Sequence, residues 1–295
     1  MAKPIMIQGT ASGVGKTVIT MALCRIFRQD GYKIAPFKSQ NITSNTAFTE
    51  AGDEIAVSQL LQAYAAGAEP DVNMNPVILK MSAGKNGKTG KNGNKSTQVI
   101  LNGKYYDAIN AYNFKEIKKN LIPGIMKAYD SLSEQYDIIV IEGAGSPVEL
   151  NLTKNNDDIV NMGIAKRANS PVVLVSDIDR GGVFASLFGT ISLFDKSERE
   201  YVKATIINRF KGDISYFKDG VEILEEITKV KVAGVVPYTQ FDIPEEDSLY
   251  NNNNFICNIN NNINNNFDSQ FDIIADNVRK SLNMELIYKI IRDGV

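Results

Sequence analysis

The sequence predicts an α/β fold, a doubly wound and mostly parallel sheet with helices on both faces. From residue 137 onward, apolar β-rich runs alternate with segments of helical length, which is typical of successive right-handed strand–helix–strand crossovers. Near-continuous apolar runs indicate parallel strands that are buried on both faces. The runs are DIIVIEGAG (137–145), SPVVLVSD (170–177), KATIINRF (203–210) and KVAGVVPY (231–238). The helices predicted between them cover 157–168, 182–194 and 214–228.

The N-terminal stretch repeats this order around a glycine-rich loop. PIMIQ is a short apolar run, GTASGVGKT follows from Gly9 to Thr17, and VITMALCRIFRQDG has helical apolar spacing. This context predicts a phosphate-binding loop and a sheet of the P-loop NTPase type, in which Lys16 reaches the β- and γ-phosphates and the Thr17 hydroxyl binds Mg²⁺. The loop departs from G-x-x-x-x-G-K-[ST], because Thr10 occupies the first glycine position. The alternative is a tight strand-to-helix turn that carries a lysine by chance.

The region between these two patterns is less regular. KIAPFK (33–38) predicts a second strand, and 54–66 and 115–135 predict helices. The Gly/Lys/Asn-rich run over 82–98 is too polar to bury and predicts a solvated loop, although its lysines could contact an anionic ligand. VILNGKYY (99–106) is consistent with either a strand or a hairpin.

The last part of the chain changes character after Pro237. We predict a P-loop ATP-binding domain over 1–248, an asparagine-rich linker over 249–267 and an amphipathic C-terminal helix over 268–295. The helix carries apolar residues at helical spacing, and it is expected to dock either on its own domain or on a partner. These residues are Ile274, Val278, Leu282, Leu286 and Ile290.

Composition excludes several classes of function. A net charge of −2 gives no general attraction to nucleic acid or to an anionic membrane. No apolar run approaches the length of a transmembrane helix, and the N-terminus leads directly into a strand, so a cytoplasmic protein is expected. The chain has no histidine, which excludes histidine-based triads and histidine-ligated metals within it. Of the two cysteines, Cys24 is expected in the core, and Cys257 lies in the asparagine-rich stretch.

Polar residues end several of the predicted strands. Because ligands of such sheets bind at the carboxyl ends of the strands, these residues are candidates for a site. Glu142 either provides a second Mg²⁺ contact or caps the following turn. Lys38 either adds positive charge near the γ-phosphate or is a snorkelling surface lysine. Asn208 and Asp177 end the other two strands.

Two further clusters of charge allow alternative interpretations. Asp53 and Glu54 open a predicted helix, so metal binding competes with a favourable charge at a helix N-terminus. In SDIDRGG (176–182), Asp177, Asp179 and Arg180 precede a glycine-started helix. They either bind a substrate or pair with one another.

Together these segments resemble the cobyric acid synthase family from Gly9 to about Pro237. The segments that carry the resemblance are GTASGVGKT, LCRIFRQDG, APFKSQN, NMNPVILK, EGAGSPVELNL, DIVNMG, VLVSDIDRGGVFAS and IINRFKGD. The resemblance implies a fold similar to dethiobiotin synthetase and an ATP-dependent amidation of carboxylates on adenosylcobyrinic acid a,c-diamide, a corrinoid. ATP would phosphorylate a substrate carboxylate, and ammonia would attack the acyl phosphate.

The resemblance also implies roles for individual residues. Lys16, Lys38 and Asp158 are the implied catalytic residues, and Thr17, Glu54 and Glu142 the implied Mg²⁺ ligands. The implied ATP-binding residues are Thr10, Ser12, Gly13, Val14, Gly15, Lys16, Thr17 and, at the adenine, Asn208. The implied substrate-binding residues are Gln40, Asn41, Asp177 and Arg180.

The sequence also departs from that family. The family continues from the acidic stretch into a Cys/His glutaminase domain, where this chain has its asparagine-rich linker, and Met81 replaces a usual proline. Nitrogen is therefore expected from free ammonia or from a separate glutaminase subunit. Two alternatives stay open, namely another P-loop carboxylate ligase of the dethiobiotin synthetase type and a non-catalytic nucleotide-binding remnant. Homo-oligomerisation is left open.

Overall fold

The computed structural model of the chain describes residues 1–81, 97–109, 114–148, 158–241 and 253–295. The strands are β1 (Lys3–Gly9), β2 (Ile34–Phe37), β3 (Gln40–Ile42), β4 (Thr46–Phe48), β5 (Glu54–Ala56), β6 (Val77–Met81), β7 (Thr97–Leu101), β8 (Lys104–Ile109), β9 (Ile138–Glu142), β10 (Val172–Asp177), β11 (Val202–Phe210) and β12 (Lys231–Pro237). The helices are α1 (Lys16–Gln29), α2 (Val57–Ala66), α3 (Phe114–Ser133), α4 (Met162–Arg167), α5 (Val183–Leu193), α6 (Lys196–Arg199), α7 (Lys218–Thr228), α8 (Asn253–Ser281) and α9 (Met284–Asp293).

The central sheet confirms the predicted doubly wound architecture. Its strand order is β12-β11-β10-β1-β9-β2, and each neighbouring pair is parallel. Alternate side chains of β1 enter different cores, since Ile5 and Ile7 pack with α1, α2, α8 and α9, whereas Met6 packs with α3, α4, α5 and α7. Both faces are therefore buried, as the apolar runs predict.

The strand order brings the predicted site residues to one edge. β1 lies between β9 and β10, with Ile7 paired to Glu142 and Gly9 paired to Val175. The loop after β1 consequently lies between the ends of these two strands, where the binding crevice of such a sheet is found.

A smaller sheet with the order β3-β6-β7-β8 adjoins this edge. Only Lys38 and Ser39 separate β2 of the central sheet from β3 of the smaller one. β7 and β8 are antiparallel, so the 99–106 stretch belongs to a hairpin. The polar run predicted as a solvated loop lies outside the described residues over 82–96.

Three of the helices predicted before the C-terminal segment differ from those observed. The segment Glu54–Ala56 is strand β5 and not the first turn of a helix, because it pairs with β4 and buries Ile55; α2 begins only at Val57. The helix predicted over 157–168 is the shorter α4, which begins after a turn held by Asp158. The helix predicted over 214–228 opens with a 3₁₀ turn at Ile214–Phe217.

The C-terminal segment docks on its own domain. The single helix predicted over 268–295 is divided into α8 and α9, because the Asn283 side chain accepts a hydrogen bond from the backbone N–H of Leu286 and starts a new helix. α8 also extends back to Asn253, into the predicted linker. The segment is held at β12, where the Asn283 backbone N–H donates to the Ala233 carbonyl (2.7 Å). Across the described residues, no helix combines the length and the apolar character needed to cross a membrane.

Candidate active site

In the loop between β1 and α1, two glycines are closely approached by neighbouring side chains. Gly15 has φ 95°, and a Cβ atom there would lie 2.1 Å from Nδ2 of Asn208. A Cβ atom at Gly9 would lie 2.6 Å from Cγ2 of Val14, which explains why a glycine occupies this position. Thr10, at the usual glycine position, exchanges a hydrogen bond of 2.9 Å with the Ser176 hydroxyl. The departure from the common motif is thus accommodated by side-chain contacts.

The start of α1 is arranged for an anion. Its N-cap residue is Gly15, which has no side chain to cap the helix, and the first turn has no acidic residue. The positive end of the helix dipole therefore lies at the loop, where it favours an anionic ligand. The Lys16 ammonium lies in the loop, donating to the carbonyls of Ala11 (3.1 Å) and Gly145 (3.2 Å). This geometry favours a phosphate-binding loop over a chance lysine in a turn.

A buried carboxylate lies beside this loop. Glu142 is fully buried, and its Oε1 accepts from the Thr17 hydroxyl and from Nζ of Lys38, both at 2.9 Å. Its Oε2 accepts from Nε2 of Gln62 at 2.5 Å. An unpaired carboxylate would be costly to bury, whereas this one has an ammonium and two further donors. Lys38 is 3% exposed, so the alternative of a snorkelling surface lysine is wrong.

Sequence reasoning missed the polar chain behind Glu142. Gln59 donates to Oε1 of Gln62 (2.7 Å), the Ser58 hydroxyl donates to Gln59 (3.2 Å), and Asn41 donates to Ser58 (3.0 Å). Gln59 and Gln62 are fully buried. The available signal was two glutamines at i and i+3 on a mostly apolar helix, which places both on one face. These hydrogen bonds connect Asn41, an implied substrate-binding residue, to Glu142.

Gln40 lies beside Asn41 on β3. It is 5% exposed, and within the described part of the chain its Oε1 has no hydrogen-bond partner. Buried polar atoms are nearly always paired, so an unpaired one at the edge of a site is compatible with a bound ligand.

Glu54 belongs to a different cluster. Its carboxylate accepts from Nζ of Lys80 and from the Thr46 hydroxyl, both at 2.5 Å. Among the residues that the structure describes, no group of three or more acidic or cysteine side chains is gathered for a metal.

Asp158 fixes the backbone of a turn by accepting hydrogen bonds from three backbone N–H groups. Its carboxylate accepts from the N–H groups of Val160 (2.9 Å), Asn161 (3.0 Å) and Gly163 (2.8 Å), which fixes the turn before α4. This contact set is that of a capping residue, and the implied catalytic role stays a prediction.

The acidic residues at the end of β10 and just after it pair with basic residues of β11 and of the segment that follows β11. Asp177 accepts from Arg209 (2.9 Å), and Asp179 pairs with Lys211 (2.6 Å), whereas Arg180 is exposed. The alternative that the charges of SDIDRGG pair with one another is therefore wrong. The proposed contact of Asp177 and Arg180 with a substrate stays a prediction.

Asn208 borders a cavity of about 140 Å³ next to the loop, which we call the Asn208 cavity. Its Nδ2 donates to the Val14 carbonyl at 2.9 Å, so the amide is tied to the phosphate-binding loop. The cavity is lined by Gly15, Val18, Asn208, Arg209, residues 236–241, Ile274, Asn277 and Val278. The cavity therefore lies between the phosphate-binding loop, the ends of β11 and β12, and α8.

Known proteins share much of this sequence. Residues 5–249 match the family described as the CobQ/CobB/MinD/ParA nucleotide binding domain (CbiA). A cobyric acid synthase of Ruminiclostridium cellulolyticum is 53% identical over 249 residues, which are 84% of this chain and 46% of that protein. A cobyric acid synthase of Streptococcus sanguinis is 49% identical over 249 residues, 84% of this chain and 48% of that protein. The MinD cell division protein of Aquifex aeolicus is a similar solved structure, with 16% identity, a TM-score of 0.41 and coverage of 81% of this chain and 83% of that one.

This chain spans about half the length of the curated relatives it matches. Apart from the first two residues of β1, the family match contains the central sheet, together with the phosphate-binding loop, Glu142 and Asn208. The chain therefore belongs to the CobQ/CobB/MinD/ParA nucleotide-binding domain family.

Proposed function

We propose that this chain catalyses the ATP-dependent amidation of carboxylates on adenosylcobyrinic acid a,c-diamide, towards adenosylcobyric acid in cobalamin biosynthesis, and that it acts in the cytoplasm. The observation that carries the proposal is the cluster of Lys16, Thr17, Lys38 and Glu142 beside the phosphate-binding loop. The 53% identity to a cobyric acid synthase supports the substrate class.

In the proposed reaction, an oxygen of the substrate carboxylate attacks the γ-phosphorus of ATP, the bond from that phosphorus to ADP breaks, and an acyl phosphate forms. Ammonia then attacks the acyl carbon, loses a proton and displaces inorganic phosphate. The protein mainly positions the groups and stabilises charge in such a transfer. Lys16 and Lys38 are the cations that would stabilise the charge developing on the phosphoryl oxygens.

The donor set beside the loop fits Mg²⁺. The Thr17 hydroxyl and the Glu142 carboxylate are hard oxygen ligands 2.9 Å apart, and Mg²⁺ takes its remaining ligands from phosphate and water. Thr17 and Glu142 would hold the ion, which would neutralise charge on the β- and γ-phosphates when bound. Glu54, with its contacts to Lys80 and Thr46, is the weaker candidate ligand.

Free ammonia, or ammonia from a separate glutaminase, is the proposed nitrogen donor. Glutaminase chemistry of the Cys/His type needs an activated thiolate and a histidine base, and this chain has no histidine. Cys24 is fully buried, and burial raises the pKa of its thiol, which keeps it protonated.

The test is an amidation assay with the purified chain, adenosylcobyrinic acid a,c-diamide, ATP and Mg²⁺, with either ammonium or glutamine as the donor. We expect amide product with ammonium only, at a rate that rises with pH as free NH₃ increases. Product that forms with glutamine and disappears in a Cys24→Ser/Cys257→Ser variant would overturn the nitrogen assignment. ATP binding without turnover would favour a non-catalytic nucleotide-binding protein, and turnover with another carboxylate would favour a different ligase.

A further inference from the structure

We propose that α8 forms part of the pocket for the purine base of ATP, and that Asn277 hydrogen-bonds to the edge of that base. The proposal rests on the proposed function, because it takes ATP as the ligand. Its consequence is that the C-terminal segment belongs to the same nucleotide site as the phosphate-binding loop, although the two lie at opposite ends of the sequence.

The position and the lining of the Asn208 cavity fit a purine. The cavity shares Gly15 with the phosphate-binding loop, so a nucleotide held at Lys16 has its base within reach of it. Val18, Ile274 and Val278 supply apolar side chains, and Asn208 and Asn277 supply amides. Base pockets need this combination, because a purine has apolar faces and a hydrogen-bonding edge.

The two amides differ in how firmly they are held. Nδ2 of Asn208 donates to the Val14 carbonyl at 2.9 Å, which orients the amide and leaves its oxygen to accept from an exocyclic amine such as that of adenine. Nδ2 of Asn277 lies 3.4 Å from the Thr239 hydroxyl, a long hydrogen bond. A long bond is readily exchanged for a shorter one to a ligand. Asn277 is thus the adaptable amide of the cavity.

Ion pairs hold α8, which lines the Asn208 cavity, against α1, the helix that follows the phosphate-binding loop. Arg25 of α1 pairs with Asp268 (3.0 Å) and Asp272 (2.8 Å) of α8, and Arg279 of α8 pairs with Asp30 (2.9 Å), just after α1. The first turn of α1 carries Lys16 and Thr17. A nucleotide that contacts both the α1 N-terminus and α8 therefore stabilises the docked C-terminal segment.

The experiment measures the affinity of the full chain for ATP and for inorganic tripolyphosphate by calorimetry. Tripolyphosphate has the phosphates without the base, so it reports on the loop alone. Asn277→Leu removes the amide at similar size, and Asp276→Leu places the same leucine at the neighbouring exposed position as the matched control. Hydrogen exchange of α8 with and without ATP provides the second readout.

We expect Asn277→Leu to weaken ATP binding about five- to ten-fold, the effect of one hydrogen bond, and to leave tripolyphosphate binding unchanged. Asp276→Leu should match the wild type with both ligands, and ATP but not tripolyphosphate should protect α8 from exchange. Unchanged ATP affinity in Asn277→Leu, or an equal loss for both ligands, would overturn the proposal while leaving the proposed function intact. A wild-type chain that binds neither ligand would overturn the proposed function itself.

Discussion

The two ends of the candidate nucleotide site are built differently. The phosphate end consists of one continuous loop and the ends of adjacent strands, with Glu142 and Lys38 paired in full burial. The base end is assembled from β11, the residues after β12, and α8, and α8 is held to α1 by partly exposed ion pairs. The difference indicates that the phosphate end is fixed by the sheet, whereas the base end depends on docking of a distant segment. Substitutions should therefore act more strongly at the phosphate end.

Lys16→Ala should have the largest effect. The variant loses the charge-assisted hydrogen bonds to phosphate, so turnover should fall about 10²- to 10⁴-fold. Its melting temperature should stay close to the wild type, because the carbonyls of Ala11 and Gly145 that accept from Lys16 lie in part-buried loops, where water can replace the ammonium. Steady-state kinetics and calorimetric melting measure the two effects. Lys280→Ala, at an exposed position of α8, is the control, and a Lys16→Ala variant with normal turnover would contradict the phosphate role.

Glu142→Gln should lower both stability and activity. Removing one charge of a fully buried pair leaves the Lys38 ammonium uncompensated, which we expect to cost about 3 kcal/mol in the free energy of unfolding. Adding Lys38→Met should recover most of that stability without recovering activity, because the double variant lacks both charges. Urea unfolding and ATP turnover separate the two effects. If Glu142→Gln alone unfolds at the wild-type urea concentration, the buried pair does not stabilise the fold as described.

Gln62→Met should reduce turnover about ten-fold and raise the Mg²⁺ concentration needed for half-maximal activity, because Gln62 orients the Glu142 carboxylate. Gln59→Met, one hydrogen bond further away, should have a smaller effect on the same two quantities. A purely structural role for Gln62 would change the melting temperature but not the Mg²⁺ requirement. Equal Mg²⁺ titrations for Gln62→Met and the wild type would therefore remove Gln62 from the site.

The smallest expected effect is the acid sensitivity of the base end. The hydrogen bond from Arg25 holds the pKa of Asp272 below its ordinary value. The ionised form therefore stabilises the folded chain, and this contribution is complete above the unfolded pKa of about 3.9 and is lost as the pH falls through the folded pKa. The protection of α8 from hydrogen exchange, taken relative to the intrinsic exchange rate at each pH, should thus fall below about pH 4 before the protection of β1 does. In Asp272→Asn this dependence should be weaker, and identical pH profiles would contradict it.

The phosphate end could be predicted from sequence because its chemistry is local. Gly9 to Thr17 are contiguous, and parallel strands bring their carboxyl ends to one edge, which also identified Lys38 and Glu142. Gln62 could not be predicted as a partner of Glu142, since its pairing depends on how α2 packs over the sheet. β5 was not predicted, because the spacing of apolar residues over Glu54–Ala56 fits a helix. These residues pair instead with β4, and that tertiary contact cannot be inferred from local spacing.

The base end could not be predicted beyond Asn208. The amphipathic spacing of Ile274 and Val278 predicts a helix with one buried face but does not say what that face covers. Its position depends on ion pairs between residues more than 240 apart in sequence, namely those of Arg25 with Asp268 and Asp272. Pairs of residues so far apart in sequence can be identified only once the folded structure is known.

The measurement that most directly tests the proposed ligase chemistry follows an oxygen atom. With the reacting carboxylate of adenosylcobyrinic acid a,c-diamide labelled with oxygen-18, the carboxylate oxygen that attacks the γ-phosphorus leaves with inorganic phosphate when ammonia displaces it. We therefore predict one oxygen-18 in the phosphate for each amide formed in the presence of ATP, Mg²⁺ and ammonium, and a release of label that is about 10²- to 10⁴-fold slower with Lys16→Ala. Amide formation that releases unlabelled phosphate would contradict an acyl phosphate and, with it, the central proposal.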